Sequence, residues 1–482
     1  MAIMTYDEYI DSLRQLKPTV YILGEKVENP VDHPRIRYSI NATGETYVLA
    51  SDPEYKDLIT TVSPLTGERI NRFNHVASSI EDLVARVKVN RVLGQRVGTC
   101  HQRCTGLDGL NALSITTYNI DQKYGTEYHK RFLNYLKYMQ EHDYCGHIGV
   151  TDVKGDRGKK PHEQADPDLY LRVVEKNKDG IIVRGAKAHQ TGSLNSHETI
   201  VLPTVAMRAE DKDYAVAFAV PIDTPGVIHV YGRGTLDSRE MEGCDLGNQY
   251  YGKYCTTVIF DDVFVPWERV FMCGEWEFAS ELVLRFSSYH RQSHGGCKSG
   301  LLDVFAGAAY TMAEYNGTAS VSHIKEKLTD IIHKAETIYA CTLASSYEGY
   351  KEKSGTYAVN SVLANAAKIH EGRELVDAMR LLLDIAGGLV GTLPSELDLN
   401  NPEIGKFIDK YMKGVSHVPT ADRMKMFRLV EKLSMESRDL VSALHGGGSP
   451  QAHRLTIFRE TNLKQKAQFA KRLAGIDILG KG

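Results

Sequence analysis

Apolar positions recur three and four apart along both ends of this chain and alternate with polar ones in its middle, which predicts helix, strand and helix in that order. Thr5 to Leu16 has helical spacing, and Thr5 with Glu8 makes a capping box. Pro30 and Pro34 break the pattern. It resumes after Ser79 over a stretch that leads to Cys100, and again over Thr126–Gln140. Leu169–Glu175 and Gly180–Gly185 then change to period two around a Lys-Asp-Gly turn, and Tyr214–Pro221, Val227–Tyr231 and Thr256–Pro266 keep the same β-branched alternation. Strands this dense, with no helical pattern between them, predict an antiparallel β-barrel or sandwich. Helical spacing returns over Leu301–Tyr315, Ile324–Tyr350 and Val359–Ile385, each long enough for a bundle. The expected fold is therefore α+β in three domains: an N-terminal helical domain (1–144), a middle β domain (145–275) and a C-terminal helical bundle (276–482).

Composition narrows the class. With 482 residues, 42% of them apolar, the chain can bury ordinary cores, and a net charge of −3 gives no footprint for a polyanion, so nucleic acid is not an expected partner. No apolar run approaches membrane-spanning length, and the first residues lack the basic and apolar regions of a signal peptide. The eight cysteines are scattered through a large chain, which points to a reducing, cytoplasmic setting and to free or metal-bound thiols.

Two stretches carry more ionisable groups than packing needs. One is Tyr289-His290-Arg291-Gln292-Ser293-His294-Gly295-Gly296-Cys297-Lys298, placed by its pattern just before a long helix; the other is Thr99-Cys100-His101-Gln102-Arg103-Cys104. Cys100 and Cys104 are two small apolar side chains on one helical face or two thiolate ligands on one turn, and the spacing leaves both open. Two loops in the β region combine small residues with donors: Thr151-Asp152-Val153-Lys154-Gly155-Asp156-Arg157-Gly158, and Gly185 to Ser193 with Gln190 and Thr191. Each reads as a solvated turn or as backbone approaching a flat heteroaromatic ligand. Gly387-Gly388 is a helix C-cap or a rest for a phosphate, and His445-Gly-Gly-Gly-Ser449 carries the same alternatives.

Taken together, Cys100-x-Gln102-Arg103-Cys104, Tyr289-His-Arg-Gln-Ser-x-Gly-Gly-Cys297-Lys, Gly185-Ala-Lys-Ala-His-Gln-Thr-Gly-Ser, Val31-Asp-His-Pro, Ile120-Asp-Gln-Lys-Tyr-Gly-Thr, Asp384-Ile-Ala-Gly-Gly-Leu and His445-Gly-x-Gly-Ser-Pro-Gln-Ala resemble the 4-hydroxybutyryl-CoA dehydratase family nearly end to end. That family lies in the acyl-CoA dehydrogenase superfamily, beside the flavin-dependent 4-hydroxyphenylacetate 3-hydroxylases. The resemblance implies FAD and a [4Fe-4S] cluster, with Cys100, Cys104, His290 and Cys297 as cluster ligands. It implies an acyl-CoA thioester substrate and a radical dehydration, with vinylacetyl-CoA-type isomerisation as a companion activity. It places FAD near Thr151, Asp152, Lys154, Arg157, Gln190 and Thr191. Gly387 and Gly388 of a neighbouring subunit of a homotetramer would face the phosphates, and Ser449 joins the cofactor set. His290, Lys298, Gln102 and Arg91 match residues lining the site. Three positions depart from the family: His294 stands where it carries tyrosine, and Cys255 and Ser442 where it carries glutamates. A carboxylate and an imidazole work at different pKa values, so the acid–base roles are not carried over unchanged. The alternatives are a diverged hydroxyacyl or aminoacyl thioester and a flavin-dependent monooxygenase of the hydroxylase branch.

Overall fold

The computed structural model describes residues 3–235, 245–435 and 437–476; Cys244 lies outside them. The helical expectations for Thr5–Leu16, the stretch after Ser79 and Thr126–Gln140 land within a few residues. The capping box at Thr5 forms and opens Tyr6–Gln15. Ser79 caps Ile80–Val97, here the entry helix. The cysteine helix, Cys104–Tyr124, and Tyr128–His142 complete the first region.

The strands form two separate sheets, as in the sandwich alternative and not as one closed barrel, and they differ from the expectation in direction. The six-stranded sheet runs Glu25–Lys26, Thr19–Ile22, Val227–Gly234, Tyr254–Pro266, Gly180–Thr191, Arg172–Lys176. The four-stranded sheet runs Val270–Cys273, Val216–Pro221, Glu198–Val201, Gly146–Gly149. Each sheet contains one parallel pairing, Thr19–Ile22 with Val227–Gly234 and Gly146–Gly149 with Glu198–Val201. The first region is thus not purely helical, because it lends two short strands to the middle sheet. Gly185 to Thr191 is also no loop. It continues a twelve-residue strand whose left-handed backbone at His189 (φ 60°) and Gly185 (φ 135°) locally bends it. Period two was already present there, but the glycine and polar residues masked it.

One core lies between the sheets and against the cysteine helix, with Phe218, Phe260, Val258, Phe271 and Leu113 all buried. A second holds the C-terminal bundle through Leu302, Phe305, Ile331, Ile338, Leu375 and Leu382. That bundle is built on one long helix, Ala279–Tyr315, with Ser322–Tyr347 and Ser361–Ala386 packed on it. Among the described residues no helix is long and apolar enough to cross a membrane.

The long helix meets the entry helix backbone to backbone. A Cβ on Gly94 would sit 2.2 Å from the Cys297 carbonyl oxygen, one on Gly296 2.8 Å from that of Val87, and one on Gly300 2.0 Å from that of Arg91. Gly300→Ala is therefore expected to destabilise the fold by about 1–3 kcal/mol through overpacking. Gly307→Ala, seven residues further along the same helix with open space at its Cβ, is expected to stabilise it by up to about 1 kcal/mol. Thermal unfolding of the two variants checks the opposite signs.

Buried imidazoles make the fold acid-sensitive. Burial pushes His101, His147 and His197 down to about 3 and His229 to about 4. Each stays neutral when folded but takes up a proton near pH 6.5 when unfolded, so stability falls as pH drops from about 6.5 towards 4, by roughly 1.4 kcal/mol per pH unit for each. Glu198 has the opposite sign: its carboxyl, raised by burial to about 7, offsets one imidazole above about pH 4.3. Urea midpoints at pH 7 and pH 5 should show the net loss.

Candidate active site

The entry helix ends at Gly98 (φ 59°), and the chain turns through residues 98–103 before the cysteine helix starts at Cys104. Gln102 takes a left-handed backbone (φ 70°) in that turn. Cys100 and Cys104 therefore do not share a helical turn: one lies in the loop and the other opens the next helix. The second chemistry-rich stretch is displaced too. Tyr289–Lys298 lies inside the long helix, not before it. There His290 and Cys297, seven residues apart, fall two turns apart on one face with His294 between them. The glycine crossing described above brings this face onto the loop carrying Cys100.

Cys104 and His290 come together, and Cys100 and Cys297 lie near enough to act on the Cys104 thiol. Cys104 and Cys297 are buried. Burial chiefly raises the Cys104 thiol, and Asp108, Cys100 and Cys297 raise it further. Burial pushes Cys297 up to about 12 against the opposing Lys298 ammonium, with Cys100 again adding to the rise. Ligand atoms of Cys104, Asp108 and His290 lie within 4.8 Å of one another. His290 Nδ1 is 2.8 Å from Asp108 Oδ2, and the other Asp108 oxygen accepts from Arg86 and, at 2.8 Å, from Ser293 Oγ. Thiols held this high would release their protons to a bound cation, and three sulfurs with one imidazole suit an iron–sulfur cluster.

Behind this set lies a buried ionic cluster that no spacing signalled. Lys368 Nζ donates to Glu371 Oε1 at 2.5 Å and to the Ala443 carbonyl at 2.9 Å, both side chains being fully buried. His294 Nδ1 lies 3.1 Å from Glu371 Oε1 and 3.3 Å from Lys368 Nζ, and its ring stands edge to face with His290 at 4.7 Å. Burial, reinforced by Lys368, holds His294 well below the usual imidazole range, so it is neutral. Glu371 is held down at about 2, Lys368 and His294 outweighing its burial. The glycine turn closes over this region: a Cβ on Gly446 would come 2.6 Å from His294 Cε1.

The remaining residues divide between the site and its frame. Lys298 is buried beside Cys297. The Gln102 amide donates to Ser39 Oγ and accepts from Asn195 Nδ2 at 2.9 Å, while Gly192 packs on its side chain. That contact ties the cysteine loop to the end of the strand carrying Gln190 and Thr191. Thr191 Oγ1 is 2.8 Å from Cys255 Sγ. Arg91 instead points its guanidinium to Asp303 and Glu336 and over Tyr339. Asp152 is committed to Lys187 at 2.8 Å, to the Leu171 N–H and to Thr204, so it shapes the neighbouring loop from within. Lys154 and Arg157 lie close enough that, after burial, Arg157 lowers Lys154 further; neither forms an ion pair among the described residues. Such a pair of cations fits a pyrophosphate. Gly387 ends its helix at φ 89°, ψ 179°, a glycine-only conformation, and it and Gly388 face open space. Ser449 caps the helix Pro450–Glu460.

Glutaryl-CoA dehydrogenase in complex with glutaryl-CoA matches with a TM-score of 0.53 at 12% identity, over 98% of this chain and 95% of that one, which shows an acyl-CoA dehydrogenase-like fold. Models of the N-terminal and C-terminal parts of 4-hydroxyphenylacetate 3-hydroxylase match residues 5–272 and 279–475. The FAD complex of the oxygenase component of 4-hydroxyphenylacetate 3-monooxygenase has a TM-score of 0.86 at 25% identity, over 98% of each chain. An oxygen-tolerant archaeal 4-hydroxybutyryl-CoA dehydratase from N. maritimus has a TM-score of 0.96 at 48% identity, over 99% of this chain and 96% of that one. The 4-hydroxybutyryl-CoA dehydratase/vinylacetyl-CoA-Δ-isomerase of Clostridium aminobutyricum is 49% identical over 98% of this chain and 100% of its own length. The chain belongs to the 4-hydroxyphenylacetate 3-hydroxylase family and, within it, to the 4-hydroxybutyryl-CoA dehydratase family.

Proposed function

We propose that this chain is a 4-hydroxybutyryl-CoA dehydratase with vinylacetyl-CoA isomerase activity, and that it holds FAD and a [4Fe-4S] cluster. The observation that carries the reading is the meeting of Cys104 with His290, from segments almost two hundred residues apart, with Cys100 and Cys297 near enough to act on the Cys104 thiol. These four would hold the cluster. Thr151, Lys154, Arg157, Gln190 and Thr191 would hold FAD, with Asp152 fixing their loop. Gly387 and Gly388 from a neighbouring subunit of a homotetramer would face its phosphates, and Ser449 would order the glycine turn beside it. When bound, FAD supplies one-electron acceptance and the histidine-ligated iron supplies a Lewis acid.

The chain's own residues supply the proton handling. The thioester carbonyl acidifies the α-proton and not the β-proton, so two removals of different difficulty need bases held close together and away from water. His290 and His294 stand edge to face, which puts two imidazoles together as the candidate bases. Burial of Cys104, Cys297 and Lys298 excludes water, and the Lys298 ammonium favours developing negative charge beside it. Cys255 keeps the Thr191 hydroxyl oriented. The domain boundaries at 144/145 and 275/276 and a cytoplasmic location complete the reading.

Anaerobic purification with iron, sulfide and flavin assays, followed by turnover of 4-hydroxybutyryl-CoA, tests it. Flavin without iron would sink it. Oxygen consumption with reduced flavin that survives Cys104→Ala would favour a monooxygenase instead.

A further inference from the structure

Asp108 is fully buried on the cysteine helix, one turn after Cys104 and on the same face. Its surroundings leave it no freedom. Oδ1 accepts from Arg86 and from Ser293 Oγ, and Oδ2 lies 2.8 Å from His290 Nδ1. Arg86 is itself buried and stacks at 4.8 Å on the Tyr289 ring, so the guanidinium is fixed as well. With both oxygens engaged, Asp108 is an acceptor and not a fourth ligand, although it shares the space of Cys104 and His290. Arg86 and Ser293 both donate to this carboxylate, which acts as an acceptor throughout, so the bond to His290 runs from Nδ1–H to Oδ2.

We propose that Asp108 is the positioning residue for His290: its carboxylate holds the imidazole in the Nδ1–H tautomer, leaving the Nε2 lone pair as the nitrogen that binds metal or takes a proton. Arg86 and Ser293 in turn lock the carboxylate. This rests on the reading of His290 as a cluster ligand. The physical logic is that of a carboxylate behind a metal-binding histidine, which fixes the tautomer and strengthens the ligand.

Asp108→Asn gives a specific outcome because the amide is not symmetric. Its oxygen must turn to the two donors, Arg86 and Ser293, which leaves the NH2 facing His290. Nδ1 then becomes the acceptor, the proton moves to Nε2, and the ligand nitrogen is lost. In the anaerobically loaded holoenzyme, pulsed paramagnetic resonance of the reduced cluster should show imidazole nitrogen coupling in the wild type and none in Asp108→Asn. Iron should leave the variant about 10–100-fold faster when challenged with a chelator. Ser293→Ala, which leaves the carboxylate in place, should keep the coupling. A wild type with no iron or sulfide overturns the cluster reading itself. A wild type with a cluster, beside an Asp108→Asn variant with unchanged coupling and iron release, overturns the role of Asp108 alone. If Asp108→Asn does not fold, the wild-type apoprotein answers: nitrogen resonance of isotope-labelled histidine, assigned with His290→Gln, should give Nδ1–H at His290. Nε2–H would overturn the proposal.

Discussion

Cys297→Ala is expected to yield a folded flavoprotein that has lost its iron and its dehydratase activity together. The thiol is small and buried against the helix crossing, so its removal opens a void of about one heavy atom, on the order of 1 kcal/mol. Its chemical effect is much larger. With the proposed cluster in place, the loss of one of its three sulfur donors should cut iron retention at least about tenfold and dehydratase turnover should fall to background. Cys273→Ala provides the comparison: that thiol is also buried, but on a strand at the edge of the four-stranded sheet. It should keep full iron and full turnover. Iron and sulfide content of the two variants, prepared side by side without oxygen, checks the contrast; equal loss in both would point to general destabilisation.

Glu371→Gln should be the most damaging single change for stability. It leaves the Lys368 ammonium fully buried with the Ala443 carbonyl and His294 as neutral partners, which typically costs about 3–5 kcal/mol. The sign of the pH dependence follows from burial. Lys368 is already held below its ordinary value, so the unfolded chain binds more protons and stability rises with pH. Removing Glu371 lowers Lys368 further, so the gap to wild type should narrow between pH 7 and pH 9. Lys368→Met combined with Glu371→Gln removes both charges and should recover much of the loss. Urea unfolding at the two pH values measures both effects, and a gap that widens with pH would contradict the assignment.

The two dense groups of cysteine and histidine stood out in the sequence, but their spacing left ligation and packing both open, and the proposed ligand set came from the family resemblance; the elements holding these residues were harder still to read. The helix around His290 has no hydrophobic stripe, since small and polar side chains face its neighbours through Gly295, Gly296 and Gly300, so periodicity placed its start at Leu301. Strand density was readable, but period two says nothing of which strands pair. Thr19–Ile22 is too short to announce that it joins a sheet with Val227–Gly234. Asp108 left a signal: it is a lone acid in an otherwise uncharged stretch of the cysteine helix, one turn after Cys104. Lys368 and Glu371 left none, because an i, i+3 lysine–glutamate pair looks the same in sequence whether it is solvated or sealed.

The crossing of the long helix over the entry helix also bears on how the protein is made. Cys297 follows Cys104 by 193 residues, so a ribosome working at about 5–20 residues per second leaves the first two thiols without their partners for roughly 10–40 s. The crossing itself cannot form until Gly296 and Gly300 have left the exit tunnel. The proposed cluster therefore cannot be completed before Cys297 has emerged, and until then the nascent chain presents Cys100 and Cys104 as open thiols to whatever oxidant or scaffold protein reaches them first.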